Sequence, residues 1–264
     1  MLQDFLSNKQ GLVILTGAGI SAGSGIPTYR DANGDWQRST PIQHGEFINQ
    51  RSSRQRYWLR SYAGWPAVNR AEPTFSHKAI TLLEQSGVAR LVVTQNVDRL
   101  HQKAGTQRVI DLHGRLDRVV CLVCHARYDR QWFQHQLKQG NPFLAESDQL
   151  EPDGDAHVES CLASQVDIPD CPACSSTLKP DVVFFGGQVS KDIVEEIYRS
   201  LDNADGLLII GSSLKVFSGY RFSRYAASLN LPVAAINPGK MRGEELIGTM
   251  IRCDADRAFQ SLRK

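Results

Sequence analysis

Cys121 and Cys124 form one C-x-x-C pair, and Cys171 and Cys174 form a second. Two thiolates three residues apart on a tight knuckle can share one tetrahedral ion. Two such pairs supply the four sulfurs of a closed zinc site. A lone redox C-x-x-C beside incidental cysteines is the competing reading, and two matched pairs disfavour it. The gap between the pairs is about three times the usual 15–20 residues of a minimal ribbon, which implies a zinc-tethered insert. Cys161 and Cys253 remain and read as small packing residues.

A second group suits phosphate chemistry. The apolar run Leu12-Val13-Ile14-Leu15 leads through Thr16 into Gly17-Ala18-Gly19-Ile20-Ser21-Ala22, with the G-x-G-x-x-A spacing of a dinucleotide-binding turn. Gly17 would permit the tight turn and Gly19 a close backbone approach to a pyrophosphate. Free N–H groups opening a helix would bind the anion. An ordinary Rossmann unit would place an acidic residue about 20 positions on, closing a second strand. Here the chain instead reads Gly25-Ile26-Pro27-Thr28-Tyr29-Arg30-Asp31, then Asn33-Gly34-Asp35-Trp36. That is loop chemistry, with an aromatic ring and an arginine able to close over a cofactor.

Elements of a particular kind must hold these groups. Leu12–Leu15, Leu91–Val93, Val109–Leu112, Val182–Phe185, Leu207–Ile210 and Val233–Ile236 have the length of buried parallel strands. Ile193, Val194, Ile197 and Leu201 mark one helix face, with Ser190 placed to cap it; Ala79, Leu82 and Leu83 mark another. Strands alternating with helices predict an α/β fold, a Rossmann-like doubly wound parallel sheet. Polar or small residues follow five strands: Gly17, Gln95-Asn96-Val97-Asp98, His113-Gly114, Gly211-Ser212-Ser213 and Asn237-Pro238-Gly239. Ligands of such sheets bind beyond the carboxyl ends of the strands, so this rim is the expected nucleotide site. The division expected is a discontinuous sheet domain over 1–114 and 181–264, with a small zinc-binding domain inserted at 115–180.

Bulk composition narrows the partners. The 264 residues are 41% hydrophobic and 22% charged, ordinary for a globular protein. A net charge of +2 gives no reason to expect nucleic acid or an anionic membrane. No apolar run approaches the roughly 18 residues of a membrane span. Met1-Leu2-Gln3-Asp4-Phe5-Leu6 lacks a basic segment followed by an apolar one, so a cytoplasmic protein is expected.

Together the motifs resemble the sirtuins, NAD-dependent protein deacylases. They stand as GAGIS (17–21), GIPTYR (25–30), TQNVDRLH (94–101), LHG (112–114), the two C-x-x-C pairs, LKPDVVFFG (178–186), GSSL (211–214) and INPG (236–239), in the family's order. PIQHGEF (41–47), RQRYW (54–58), GWP (64–66), PDGD (152–155) and SGYRF (218–222) are similar to the class II branch. That branch is associated with lipoamidase, ADP-ribosyltransferase and branched or dicarboxyl-type deacylase activities. A bacterial member of it is implied.

The resemblance implies a mechanism. NAD offers a ribose carbon bearing nicotinamide, a good leaving group. The amide oxygen of an acylated lysine attacks that carbon, and a ribose hydroxyl must then lose its proton. His113 matches the base, and an imidazole titrating near 6.5 suits that task. Products would be free lysine, nicotinamide and an O-acyl-ADP-ribose. Asn96 matches a second catalytic position, holding the ribose or a water, and Asp98 matches the acceptor of the nicotinamide carboxamide. Without the resemblance, Asn-x-Asp after a strand reads as a helix cap.

Other NAD-binding matches are Gly17, Ala18, Gly19, Ser21, Pro27, Thr28, Tyr29, Arg30, Trp36, Gln95, Val97, Gly211, Ser212, Ser213, Asn237, Pro238, Gly239 and the backbone of Cys253. The zinc is implied to be structural, since four thiolates leave no open position.

Acyl-lysine peptides are implied to bind as an extended strand between the two domains. Val183, Phe184 and Gly186 would lie on one side and Val216 on the other. Tyr57 and Arg60 share a helix face at i, i+3, as in the sirtuins that remove succinyl and malonyl groups. The pair can hold a carboxylate at the end of an acyl chain; packing for Tyr57 and solvation for Arg60 is the bland alternative. Mono-ADP-ribosyl transfer would use the same NAD pocket. A non-enzymatic scaffold would lack the base or the Asn-x-Asp, and both are present. The sequence leaves the oligomeric state open, and a monomer is compatible with it.

Overall fold

A computed structural model of the protein describes residues 1–28, 31, 41–151, 155–156 and 160–263. Nine strands are found among them: β1 (Leu12–Thr16), β2 (Ala89–Thr94), β3 (Val109–Asp111), β4 (Gly114–Cys121), β5 (Arg127–Asp129), β6 (Leu178–Val182), β7 (Leu207–Ile210), β8 (Val233–Ile236) and β9 (Thr249–Ile251). Six form one sheet in the order β3-β2-β1-β7-β8-β9, and every pairing in it is parallel.

The continuous apolar runs follow from burial on both faces, as parallel sheets require. In β7, Leu207 and Ile209 face a core with Val194, Ile197, Leu201 and Phe222. Leu208 and Ile210 face the opposite core with Ile80, Ala258 and Phe259. The helix Lys191–Asp202 buries Val194, Ile197 and Leu201 as expected, with Ser190 at its N-cap but forming no side-chain cap bond. The helix Phe75–Gln85 departs from expectation. Ile80 is its buried anchor and Leu82 is 62% exposed, so the apolar face runs through Ala79, Ile80 and Leu83.

Chain order changes direction at β1. The chain builds outward to β2 and β3, returns, and resumes on the other side with β7 and β8. The reversal sets the end of β1 beside the end of β7, the position where sheets of this kind bind ligands.

The other three strands make an antiparallel sheet, β5-β4-β6. Val119, Phe133, Leu137 and Leu178 pack there with Phe47, Tyr57, Trp58 and Tyr62 from the helices His44–Asn49 and Arg51–Arg70. Its hydrophobic core thus draws on residues well before 115.

One expected strand of the large sheet is absent. Val182 ends β6 in the small sheet, and Phe185 takes part in an isolated parallel bridge with Gln43 and not in a strand. The run is apolar for a different reason. Phe184 is buried with its ring 5.1 Å from that of Phe47 and 5.2 Å from that of Tyr57. Among the described residues no helix is long and apolar enough to cross a membrane.

Candidate active site

A cavity of about 880 Å³ opens along the carboxyl ends of β1, β2, β7 and β8 and continues between the two sheets. That size suits a small-molecule ligand.

Its floor is the glycine turn. The Gly19 amide donates to the Gly211 carbonyl at 2.8 Å, and a Cβ on Gly19 would stand 2.8 Å from Gly211 Cα. Gly211 has φ +61°, and a Cβ there would lie 2.5 Å from the Ile20 nitrogen. Each glycine therefore lets the β1 and β7 loops touch through bare backbone. The turn opens into short 3₁₀ turns, Ala18–Ile20 and Ala22–Ser24, where the sequence suggested a helix N-terminus.

Three polar side chains interlock above it. Asn96 Nδ2 donates to the Gly17 carbonyl at 3.2 Å and to Ser21 Oγ at 3.0 Å. Ser21 Oγ donates to Asp98 Oδ2 at 2.7 Å. Asp98 Oδ1 accepts from the Leu100 amide at 3.0 Å, so the helix-cap role and the cavity-lining role coexist in one carboxylate. Burial pushes the Asp98 carboxyl upward, against the pull of its bonds from Leu100 and Ser21.

His113 follows β3 and is held at both ring nitrogens. Nδ1 lies 2.9 Å from the Gln95 carbonyl and Nε2 lies 2.7 Å from Ser218 Oγ. A carbonyl only accepts, so Nδ1 carries the proton. The neutral ring then presents the Nε2 lone pair to the Ser218 hydroxyl. Burial pushes this imidazole down to about 4, opposed by the Gln95 bond. Gln95 is itself fixed, its Nε2 donating to the Thr16 carbonyl at 3.1 Å and to Ser212 Oγ at 2.8 Å. The His113 carbonyl accepts from the Val183 amide at 2.7 Å, which ties the ring to the 183–187 wall.

The cavity brings together Gly17, Ala18, Gly19, Ser21, Thr28, Gln95, Asn96, Val97, Asp98, His113, Gly211, Ser212, Ser213, Asn237, Pro238 and Gly239. Tyr57, Val183, Phe184, Gly186 and Val216 line it too. Pro27, Arg60 and Cys253 do not. Arg60 Nε is 3.4 Å from the Ala156 carbonyl, and Cys253 packs against the sheet core behind the rim. Tyr29, Arg30 and Trp36 lie outside the described residues, as does the Cys161 side chain. Ser218 and Arg221 line the cavity and were not among the expected site residues. Ser218 and Arg221 are three apart on the helix Phe217–Ser228, a same-face spacing that was the available signal.

The four cysteine sulfurs lie within 4.8 Å of one another, with Cys121 Sγ 3.4 Å from Cys174 Sγ and Cys124 Sγ 3.7 Å from Cys171 Sγ. Zn–S bonds of about 2.3 Å in a tetrahedron put sulfurs about 3.8 Å apart, so the donor set fits one zinc. Tyr128 Oη sits 3.3 Å from Cys171 Sγ, a second-sphere contact of the kind that orients ligands.

Comparison with known proteins agrees with this geometry. The Sir2 family model matches residues 17–218. The chain is 46% identical over 264 residues to an NAD-dependent protein deacetylase of Xanthomonas campestris pv. campestris (strain B100), covering all of this chain and 90% of that one. It is 43% identical over 249 residues to the NAD-dependent protein deacylase Sirt4 of Drosophila melanogaster, covering 93% of this chain and 80% of that one. A solved structure of Sir2 with a p53 peptide and NAD+ superposes with a TM-score of 0.80 at 26% identity, covering 99% of this chain and 95% of that one. The family model and these relatives show that this chain belongs to the Sir2 family, the sirtuins.

Proposed function

We propose that this protein removes acyl groups from lysine side chains of proteins at the expense of NAD, releasing nicotinamide and an O-acyl-ADP-ribose. The observation that carries the reading is the fixed tautomer of His113. Its Nε2 lone pair stands in the cavity that also holds the glycine turn. A neutral imidazole at cellular pH is the state a base needs.

NAD supplies an electrophilic ribose carbon with a good leaving group. The residues of this chain supply the rest. Gly17, Ala18, Gly19 and Ser21 form the cradle for its phosphates, with Ser212 and Ser213 beside them and Asn237 toward the adenosine ribose. Asp98 accepts from the nicotinamide amide, and Asn96 orients the neighbouring ribose or a water. Thr28, Tyr29, Arg30 and Trp36 are assigned to contact with the cofactor, and Gln95, Val97, Pro238 and Gly239 complete the walls. His113 takes the proton from a ribose hydroxyl at Nε2.

The peptide lies extended between Val183–Gly186 and Val216, held mainly by main-chain bonds, so flanking sequence is loosely specified. Zinc holds the knuckles of the small sheet and takes no part in the reaction. The lobes divide near 114 and 181, with the helices His44–Asn49 and Arg51–Arg70 sharing the core of the smaller one, in a cytoplasmic protein. Relatives named deacetylase and deacylase support the reaction class. The acyl group we propose is larger than acetyl: dicarboxylic, branched or lipoyl-type.

One peptide carrying acetyl, succinyl, glutaryl, methylglutaryl or lipoyl lysine, incubated with NAD and read by mass spectrometry, tests the proposal. Loss of the acyl mass with one nicotinamide per turnover supports it. Gain of an ADP-ribose mass on protein, without acyl loss, would replace it with mono-ADP-ribosyl transfer.

A further inference from the structure

Arg221 is a half-buried arginine in the cavity wall, on the helix Phe217–Ser228. Its Nε is enclosed and has no hydrogen-bond partner, and among the described residues the guanidinium makes no ion pair. The guanidinium carbon stands 5.1 Å from the centre of the Phe217 ring. Stacking fixes the plane of a guanidinium and leaves its donors free. A buried donor without an acceptor costs about 1–3 kcal/mol, so such a group suits a bound ligand that brings the acceptor.

The ligand is an anion, and two are available: a cofactor phosphate or a charged group on the substrate. The helix favours the substrate. Its Ser218 touches the base at 2.7 Å, and Arg221 is one turn further on the same face. Its first turn is pressed inward, since a Cβ on Gly219 would stand 2.6 Å from Gln95 Oε1. Val216, just before the helix, belongs to the peptide wall proposed above. The phosphates have their own cradle at the β1–β7 crevice. Arg60 does not line the cavity and faces the Ala156 carbonyl. Lys191 and Lys240 line the cavity but are exposed.

We infer that Arg221 reads a carboxylate at the far end of the acyl chain, making dicarboxylic acyl-lysines the preferred substrates. The inference rests on the deacylase reading of the cavity. A planar fork matches a carboxylate through two parallel bonds, which a neutral end group cannot repay.

The test compares kcat/KM for a glutaryl-lysine peptide with that for the same peptide bearing the neutral terminal amide in place of the carboxylate. The full-length, zinc-loaded protein is used with saturating NAD. The expected ratio is at least about tenfold in favour of the carboxylate, equivalent to about 1.4 kcal/mol. It should fall to near one in Arg221→Met, recover in part in Arg221→Lys, and persist in Arg60→Met. Thermal melting checks that each variant is folded. A ratio near one in the unaltered protein would overturn the inference. So would a ratio that survives Arg221→Met while KM for NAD rises equally with both peptides, which would put the guanidinium on the cofactor. Absence of nicotinamide release from every acyl peptide, acetyl included, would instead remove the deacylase reading beneath it.

Discussion

Ser218 Oγ and His113 Nε2 are 2.7 Å apart, so the nitrogen available to act as base is already engaged by a hydroxyl of the same chain. With the Gln95 carbonyl on Nδ1, both nitrogens of the ring are held. Ser218 is thus a positioning residue. Ser218→Ala should lower kcat about five- to tenfold, the worth of one ordinary hydrogen bond, with little change in KM for NAD. Ser218→Thr, which keeps the hydroxyl, should restore most of it. A faster Ser218→Ala enzyme would show that the hydroxyl competes with substrate.

Ser21 joins Asn96 to Asp98. Ser21→Ala leaves a buried carboxylate oxygen and an amide without their shared partner, at a cost of about 1–3 kcal/mol. A lower melting temperature and weaker NAD binding by calorimetry are expected. Unchanged values in both would remove Ser21 from the cofactor site.

Acid should destabilise the fold through buried imidazoles. His77 is pushed down to about 4 by burial, and His101, beside it with ring centres 4.7 Å apart, well below its ordinary 6.5. The unfolded chain then binds more protons below about 6.5 than the native one. Stability is therefore full above that pH and is lost progressively as pH falls toward 4. His77 alone accounts for at most about 3 kcal/mol. Urea midpoints across pH 4–7 check this, and His77→Gln should flatten part of the slope.

Zinc removal should act on stability. Metal analysis is expected to give one zinc per chain. A strong chelator should lower the unfolding temperature and expose the four thiols to a thiol reagent. Equal thiol reactivity before and after chelation would contradict a metal at Cys121, Cys124, Cys171 and Cys174.

Much of this was legible in the chain. Strands buried on both faces appear as unbroken apolar runs, so β1, β2, β7 and β8 could be read directly, as could the half-buried edge strand β3 and the polar rim after them. The cysteine site was legible because ligand spacing is a local property. Val182–Phe185 misled because burial of Phe184 against Phe47 and Tyr57 leaves the same apolar trace as a strand. The three-residue edge strand Thr249–Ile251 was too short to show a period. Leu82 was misplaced because face assignment on a short helix turns on single residues. Arg60 and Arg221 were not separable by spacing, since each stands three residues from a polar partner. Only the tertiary fold sets one against the Ala156 carbonyl and the other in the cavity wall.

The central claim is that His113 is the base of an NAD-consuming deacylation. It is tested most directly by measuring NAD binding and nicotinamide release side by side, in the unaltered protein and in His113→Ala, with one acyl-lysine peptide. The account predicts that His113→Ala still binds NAD and loses turnover by about a hundredfold or more, the usual worth of a general base. Turnover equal to that of the unaltered protein would contradict it.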